Sequence, residues 1–379
     1  MTRGKVKLML ISVILTAIAL GSCTKKEVHD ERVVLNPKYK DEILKSRELL
    51  AVNLITSRTG LSVSVSVDNE TVWSEGIGYS SSELSTVVKP EHKFRIGTSS
   101  RLFTSLILLR MHERGEIDLN KNYSDYVSSG VNPNWNFNLY QLAVNSAGLG
   151  FYTSELFKEA IRKEYRNLDE LLAAHQQDEL RYPLNENFAE NAVGTCMLVE
   201  ALRGESGKRY KQLLYDEVLK PFGLSETELD YPHIIIKNKA TLYSRNSIAQ
   251  VFRASDGNIR AVAPAMGILS TADDLNKLGQ AILKHEVLTP ESYDLLLTPN
   301  KLNNGDDSAW GMGIEVAADR EGRKFYLLRG EVDGGASLLI ICPEEKLVFS
   351  VCGNLSNDYT SYPFSEVLGL FMEKLSPKK

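Results

Sequence analysis

The sequence predicts an α+β fold in which one sheet is built from both ends of the chain. Two strand-like segments lie near the start, helical segments fill the middle, and strand-like segments followed by a helix close the chain. Because strands need partners, we expect those of the two ends to pair, with the helical region inserted between them as a lobe. The chain has 379 residues, of which 43% are hydrophobic, and this is enough for one large two-lobed fold.

A helix and a hairpin are predicted at the start of the folded part. Apolar side chains recur at helical spacing over about 41–57. The segment LSVSVSV at 61–67 then alternates with period two, Asp68-Asn69 offers a turn, and ETVWSEGIGYS follows as a second strand. This pattern is typical of a β-hairpin.

Helical character dominates from Phe94 to about residue 283, and strands return after it. The helices predicted in this region are 102–113, 168–174, 193–202 and 272–283. The later strand segments are WGMGIEVA, RKFYLL, GASLLIIC and KLVFSVCGN, and a last helix is predicted over 365–375.

The charge balance excludes one class of partner. The chain has 44 basic and 49 acidic residues, which gives a net charge of −5, and the charges are mixed along the sequence without a basic block. A nucleic-acid partner is therefore not expected.

Three cysteines of the folded part, Cys196, Cys342 and Cys352, are expected to be small buried residues rather than a disulfide or a metal set. A turn between the last two strands would place Cys342 opposite Leu347 and Cys352 opposite Ser337. The two thiols are then out of register for a bridge. No metal or other cofactor is expected.

The first 22 residues have the three regions of a secretory signal. Basic residues precede an apolar run that is too short to span a bilayer comfortably. The run ends in Leu-Gly-Ser before Cys23, an order that resembles a bacterial lipoprotein signal with lipid on the cysteine thiol; the alternative is a plain secretory signal in which Cys23 is incidental. We therefore expect the membrane to be a partner of this protein in the bacterial cell envelope: lipid on Cys23 would anchor the chain there, facing the periplasm or the exterior. Residues 23–40 would be a polar tether.

The segment FRIGTSSRLFTS at 94–105 has the arrangement of a site that presents a nucleophile. A tight Gly leads into three hydroxyl residues, a cation and an apolar helix. Thr98 stands where the nucleophile would sit, although Thr is also a good helix N-cap, and we favour the N-cap interpretation. Ser99 and Ser100 are rotated by about 100° per residue from the nucleophile direction, so they are expected to be first-turn helix residues.

Seven framework segments together resemble the serine β-lactamase and penicillin-binding-protein-like hydrolases, in the branch related to class C β-lactamases. In order they are GLSVSVSVDNETVWSEGIGYS, FRIGTSSRLFTSLILLRMHERGEIDLN, LYQLAVNSAGLG, KPFGLSETEL, GILSTADDLNKLGQAIL, WGMGIEV and GGASLLIICPEEKLVFSVCGN. The resemblance covers about 41–375. It implies a β-lactamase/transpeptidase-like fold: an antiparallel sheet flanked by helices (sheet lobe about 41–95 and 284–379) and a helical lobe (about 96–283), with the site in the cleft between them.

The resemblance also implies a nucleophile motif at the start of the buried helix. In the family, Ser attacks a carbonyl, and a Lys three residues later on the same helix face helps to take its proton. The matching positions here hold Thr98 and Arg101. The γ-methyl group of Thr crowds the approach of an acyl carbon. The guanidinium of Arg stays protonated and cannot accept a proton.

The two other motifs that the resemblance implies are changed as well. The family's helical lobe supplies a Tyr, and the matching position holds Glu190, for which the alternative is an exposed loop carboxylate. The family's third motif is a Lys or His two residues before a Gly on a sheet strand, and counting places Leu328, Gly330 and Glu331 there. Leu328 is expected to pack within its strand. Only Gly330 keeps the family's residue, which leaves room for a close backbone approach.

Three changed motifs on a retained framework favour a non-catalytic envelope lipoprotein whose cleft binds a peptide, a cell-wall fragment or a partner protein. One alternative is a diverged amide or ester hydrolase with Thr98 as nucleophile and Glu190 as general base. Another is a scaffold whose cleft has no function. Because an unpaired Arg at the base of a cleft is costly, we expect Arg101 and Glu190 to form an ion pair within about 4 Å.

Overall fold

The computed structural model describes the chain in six stretches, which are 33–127, 131–150, 165–231, 233–257, 259–356 and 362–376. The predicted signal segment 1–22 and Cys23, the predicted lipidation site, lie outside these stretches, so the expectations about them stay predictions. Within the six stretches, no helix combines the length and the apolar character that crossing a bilayer requires.

The bounds of the regular elements in these stretches are as follows. The strands are β1 (Val34–Leu35), β2 (Gly60–Val67), β3 (Glu70–Ser81), β4 (Thr86–Val87), β5 (Phe94–Arg95), β6 (Glu228–Leu229), β7 (Tyr243–Arg245), β8 (Val251–Arg253), β9 (Ile268–Ser270), β10 (Glu315–Ala318), β11 (Lys324–Val332), β12 (Gly335–Cys342) and β13 (Leu347–Gly353). The helices are α1 (Lys40–Ser57), α2 (Ser100–Glu113), α3 (Leu139–Ala143), α4 (Leu168–His175), α5 (Ala192–Ser206), α6 (Tyr210–Leu214), α7 (Ala263–Met266), α8 (Ala272–Lys284), α9 (Pro290–Leu297) and α10 (Phe364–Leu375).

The main sheet joins both ends of the chain, as predicted. Its strand order is β1-β3-β2-β13-β12-β11-β10, with β4 paired to β3, and every pair is antiparallel. The predicted hairpin forms between β2 and β3, with Asp68 at φ 50° and Asn69 at φ 68° in its turn. Positive φ at both turn residues is what a two-residue hairpin connection of this hand requires, and Asp and Asn tolerate it. The α+β prediction is confirmed.

The predicted cysteine register is confirmed as well. Cys342 lies opposite Leu347, and Cys352 lies opposite Ser337. Cys342, Cys352 and Cys196 are free and buried. Burial raises the pKa of each of these thiols, so they remain protonated and behave as small apolar residues.

The tether predicted over 23–40 is wrong for its last residues. Val34 pairs with Ser74 at the edge of the sheet, and Tyr39 is buried against Phe371, with ring centroids 6.0 Å apart. The backbone of Val34 and Leu35 pairs with an open sheet edge, and the Tyr39 ring enters a core, so this part of the chain packs on the fold even though the Leu35 side chain stays exposed.

Helices cover both faces of the sheet. One core cluster joins α1 and α10 to the sheet, through residues that include Leu50, Trp73 and Phe371. On the other face, the Asn276 side chain of α8 donates hydrogen bonds to the carbonyl oxygens of Ser64 (3.0 Å) and Val348 (3.1 Å). The helical lobe predicted over 96–283 therefore includes a helix that packs on the sheet.

The helical lobe surrounds α2. Eleven residues of this helix are buried, and the first of them are Ser100, Arg101, Leu102 and Phe103. Short strands are also present in the region where helices were predicted to dominate, because β6 and β9 lie there and form a small antiparallel sheet with β5. The segment WGMGIEVA is extended only from Glu315 onward.

Candidate functional site

Strand β11 passes directly against the start of α2, and two glycines make this approach possible. Gly97 has φ +57°, and a Cβ atom on it would lie 2.4 Å from the carbonyl carbon of Glu331. A Cβ atom on Gly330 would lie 2.0 Å from the carbonyl oxygen of Ile96. Any side chain at either position would force the strand and the helix apart. The close backbone approach predicted at Gly330 is confirmed.

Thr98 is not an N-cap, so that interpretation is wrong. It lies inside a single 3₁₀ turn, Gly97–Ser99, that leads into α2 without a side-chain cap. Its hydroxyl is half-buried and donates a long hydrogen bond of 3.4 Å to the carbonyl oxygen of Arg329. Thr98 cannot cap the helix because it lies within this 3₁₀ turn, whereas an N-cap residue needs an extended backbone.

The hydroxyls of Ser99 and Ser100, next to Thr98, form hydrogen bonds that stabilise the fold. The Ser99 hydroxyl lies 2.8 Å from that of Ser337. The Ser100 hydroxyl donates to the carbonyl oxygen of Gly97 (2.7 Å) and accepts from the amide of Ile268 (3.2 Å). Both serines are fully buried, in agreement with their expected place in the first turn.

The predicted ion pair between Arg101 and Glu190 is confirmed. Nη2 of Arg101 lies 2.9 Å from Oε1 of Glu190, and the exposed fractions of the two side chains are 7% and 24%. Nε of Arg101 also donates to the carbonyl oxygen of Thr98 at 3.2 Å. The guanidinium therefore joins the nucleophile position to the position of the family's Tyr.

Glu190 is held in place by the residue that follows it. Asn191 caps α5, because its side chain accepts from the amide of Gly194 (3.0 Å). The same side chain donates to the carbonyl oxygen of Gly150 (2.8 Å). These bonds fix the backbone just before the helix, so Glu190 faces Arg101 rather than solvent.

Arg101 cannot act as a base. Burial lowers its pKa from the usual arginine value, and the Coulombic attraction of Glu190 opposes that decrease. A guanidinium stays charged at any working pH, so it has no lone pair for a proton. Its Nη1 atom is buried and has no hydrogen-bond partner within the six described stretches.

An aromatic pair contacts this cation. The guanidinium carbon of Arg101 lies 5.7 Å from the ring centroid of Trp310, and that ring stacks on Phe188 with centroids 5.1 Å apart and planes at 12°. Sequence reasoning treated Trp310 only as part of a framework segment. Its position 209 residues after Arg101 gives no local signal of the contact.

The third-motif positions lie on β11, beside Thr98, but they bring no cation to the site. Leu328 is 1% exposed and packs from its strand into the core that the sheet shares with the helical lobe, in agreement with the packing role predicted for it. Arg329 is exposed and binds the carboxylate of Glu315, with Nη2–O distances of 2.6 and 2.8 Å. Glu331 contributes its backbone next to Gly97.

The described residues of the site thus bring together a hydroxyl, a neutralised cation and an aromatic pair. The positions that match the family's Lys, Tyr and third-motif cation hold Arg101, Glu190 and Leu328. Across the six stretches, no group of three or more His, Cys, Asp or Glu side chains could hold a metal ion.

Comparison with known proteins identifies the framework. Residues 48–367 match the family model described as Beta-lactamase. Protein flp of Staphylococcus aureus is 21% identical over 312 residues, which are 79% of this chain and 60% of flp. A Staphylococcus aureus protein named teichoic acid D-alanine hydrolase is 25% identical over 272 residues, which are 72% of this chain and 64% of that protein. The chain thus spans less than two thirds of either relative.

A solved structure supports the fold independently. The octameric penicillin-binding protein homologue from Pyrococcus abyssi superposes with a TM-score of 0.76 at 20% identity, over 89% of this chain and 78% of that one. The family model covers the sheet, the helical lobe and the residues around Thr98 alike. On these grounds the chain belongs to the Beta-lactamase family, whose members have the serine-hydrolase fold.

Proposed function

We propose that this protein is a non-catalytic member of its family, a lipid-anchored envelope lipoprotein whose cleft binds a peptide, a cell-wall fragment or a partner protein. The observation that supports it best is the ion pair between Arg101 and Glu190 beside Thr98. In a working member of the family these two positions would have to move a proton during acyl transfer.

Three features argue against acyl transfer at Thr98. Arg101 stays charged and cannot take the hydroxyl proton. Glu190 binds Arg101 at 2.9 Å, which ties up the carboxylate that a diverged hydrolase would use as its base. Leu328 is apolar and buried where the family has a cation. General base catalysis alone accounts for a factor of about 10²–10⁴ in rate, so the loss of these groups is severe.

The name of one relative bears on the ligand. The protein called teichoic acid D-alanine hydrolase is named for an action on teichoic acid. A cell-wall ligand for the present chain is consistent with that likeness and with the predicted signal that ends before Cys23.

Covalent labelling tests the proposal. The purified protein is incubated with a fluorescent penicillin and, separately, with a fluorophosphonate probe, and an active serine β-lactamase serves as the positive control. We expect no label and no nitrocefin turnover. Label that disappears in a Thr98→Ala variant would overturn the proposal in favour of the diverged hydrolase with Thr98 as nucleophile and Glu190 as base.

A further inference from the structure

Two loops meet beside the ion pair of the cleft. Loop 184–188 lies between α4 and α5, and loop 300–310 lies between α9 and β10. Their aromatic residues Phe188 and Trp310 stack with ring centroids 5.1 Å apart. The Trp310 ring also lies over the guanidinium carbon of Arg101, 5.7 Å from its centroid. Both rings are half-buried, so the pair separates this part of the cleft from solvent.

Asparagine hydrogen bonds join the two loops. Nδ2 of Asn185 donates to the carbonyl oxygen of Lys301 (2.7 Å), and Oδ1 of Asn185 accepts from Nδ2 of Asn300 (2.8 Å). Asn303 donates from its amide to the carbonyl oxygen of Asn185 (2.9 Å) and from Nδ2 to that of Leu184 (2.8 Å). Asn303 is exposed, so water competes for its bonds and their net contribution is small. The two loops form one unit, the aromatic cover, held by bonds that water can replace.

The closed cover leaves one donor of Arg101 unsatisfied. The side chain is 7% exposed; Nε donates to the carbonyl oxygen of Thr98 (3.2 Å), and Nη2 lies 2.9 Å from Oε1 of Glu190. In the part of the chain that the structure describes, the buried Nη1 atom has no acceptor. Burying a charged donor without a partner is costly. An oxygen that reached Nη1 after the cover opened would remove this cost.

We propose that the aromatic cover opens and that an amide carbonyl oxygen of the ligand then accepts a hydrogen bond from Nη1 of Arg101. This inference rests on the proposed function, because it specifies the ligand of the same cleft. An amide fits better than a carboxylate. Arg101 and Glu190 already neutralise each other, so a carboxylate would bring an uncompensated negative charge into a buried site, whereas a carbonyl adds no charge.

Chemical modification of Arg101 measures the opening of the cover. The full-length protein is treated with phenylglyoxal, which reacts with accessible guanidinium groups, and peptide mapping by mass spectrometry gives the rate at each arginine. The exposed Arg320 is the internal reference. We expect Arg101 to react at least about tenfold more slowly than Arg320, and Trp310→Ala to raise the rate at Arg101 about tenfold. Phe252→Ala, which removes a 48% exposed aromatic ring elsewhere, should leave that rate unchanged.

The Asn303→Ala variant distinguishes an opening cover from a rigid one. It removes a side-chain bond between the loops and keeps both aromatic rings, so the rate at Arg101 should rise about threefold. Asn304→Ala is the matched control, because that side chain bonds only Asp306 of its own loop (2.8 Å from Nδ2 to Oδ2). Thermal unfolding of every variant checks that the fold is retained. An unchanged rate in Asn303→Ala would contradict an opening cover.

Protection of Arg101 tests the ligand class. The Trp310→Ala variant is used, because a weak ligand then does not have to open the cover. N-methylacetamide supplies a neutral amide and acetate supplies a carboxylate, at the same concentration and ionic strength. We expect N-methylacetamide to slow the modification of Arg101 and acetate not to do so, with the rate at Arg320 unchanged by either. Protection by acetate alone, or by neither compound, would overturn the amide assignment.

The proposed function and the aromatic cover fail in different experiments. Acyl label on Thr98 would overturn the non-catalytic assignment. An Arg101 that reacts as fast as Arg320 in the parent protein would overturn the cover. Protection by N-methylacetamide, together with an intact mass for the peptide that contains Thr98 after incubation with the acylating probes, supports both.

Discussion

Nη2 of Arg101 lies 2.9 Å from Oε1 of Glu190, across the place where the family holds its nucleophile. The pair joins α2 to the residue just before the N-cap of α5. The two positions that serve proton transfer in the family hold an ion pair here, and the guanidinium of Arg101 also contacts the Trp310 ring.

Removing one partner of this pair should destabilise the protein. Glu190→Ala leaves the Arg101 guanidinium buried without its counter-ion, and we expect a loss of about 1–3 kcal/mol in the free energy of unfolding, reduced by the partial exposure of Glu190. Urea unfolding measures it. The control is Asp307→Ala, which breaks an exposed pair with Lys301 (side chains 55% and 73% exposed) and should cost no more than about 1 kcal/mol. Equal losses of unfolding free energy in the two variants would show that the buried pair stabilises the protein no more than the exposed pair does.

Restoring the family's residues should restore reactivity with acylating probes. In the triple variant Thr98→Ser, Arg101→Lys, Glu190→Tyr, the hydroxyl regains a Lys that can lose its proton and a phenol beside it, and it loses the crowding methyl group. We expect labelling by a fluorophosphonate at least about tenfold faster than that of the parent protein. The same triple variant with Ala in place of Ser is the control. If the triple variant folds but is not labelled, the loss of reactivity must come from a different position. Leu328, which replaces the family's third-motif cation, would be the first one to test.

The close contact between β11 and α2 should not tolerate a side chain at Gly330. In Gly330→Ala the new methyl group would lie 2.0 Å from the carbonyl oxygen of Ile96, so we expect a loss of at least about 2 kcal/mol in unfolding free energy. Gly369→Ala is the matched control, because a Cβ atom at that position on α10 would have no described atom within 4 Å outside its own helix turn, and Ala is the better helix former. A melting temperature of Gly330→Ala equal to that of the parent would contradict the contact.

Glu200 should make stability depend on pH. Burial raises the pKa of this carboxyl, and the Tyr123 hydroxyl, which donates to it, opposes the rise. The folded state therefore holds the proton more tightly than the unfolded state, so stability falls as the pH rises from the ordinary glutamate pKa through the raised one. Glu200→Gln should remove this fall, as measured by urea unfolding between about pH 4 and 7. Glu205→Gln, which removes an exposed carboxylate of the same helix, is the control. A Glu200→Gln profile parallel to that of the parent would refute the assignment.

Membrane retention should depend on Cys23. If its thiol carries the lipid, Cys23→Ala should lose labelling by radioactive palmitate and should leave the membrane fraction after a high-salt wash, which also removes contacts with acidic headgroups. Cys352→Ala is the control for loss of a cysteine. Unchanged retention of Cys23→Ala after the wash would exclude the lipid as the anchor.

Local patterns determined much of the fold. The alternation at 61–67 and the Asp68-Asn69 turn predicted the first hairpin, and the last turn predicted the register of Cys342 and Cys352. Strand alternation and turn geometry act over a few residues, so they can be read from the sequence alone. The pairing of Arg101 with Glu190 was also predictable. The resemblance indicated that the two residues face each other across the site, and an ion pair was expected because an unpaired buried charge is costly.

The tertiary structure alone decided the rest. The Thr98 hydroxyl turns to a carbonyl of β11, Trp310 packs on Arg101, and Val34 adds a strand to the sheet edge. Each of these contacts joins segments that lie from 40 to more than 200 residues apart in the chain. Such contacts depend on which surfaces the packed core brings together, and short-range propensity carries no information about that.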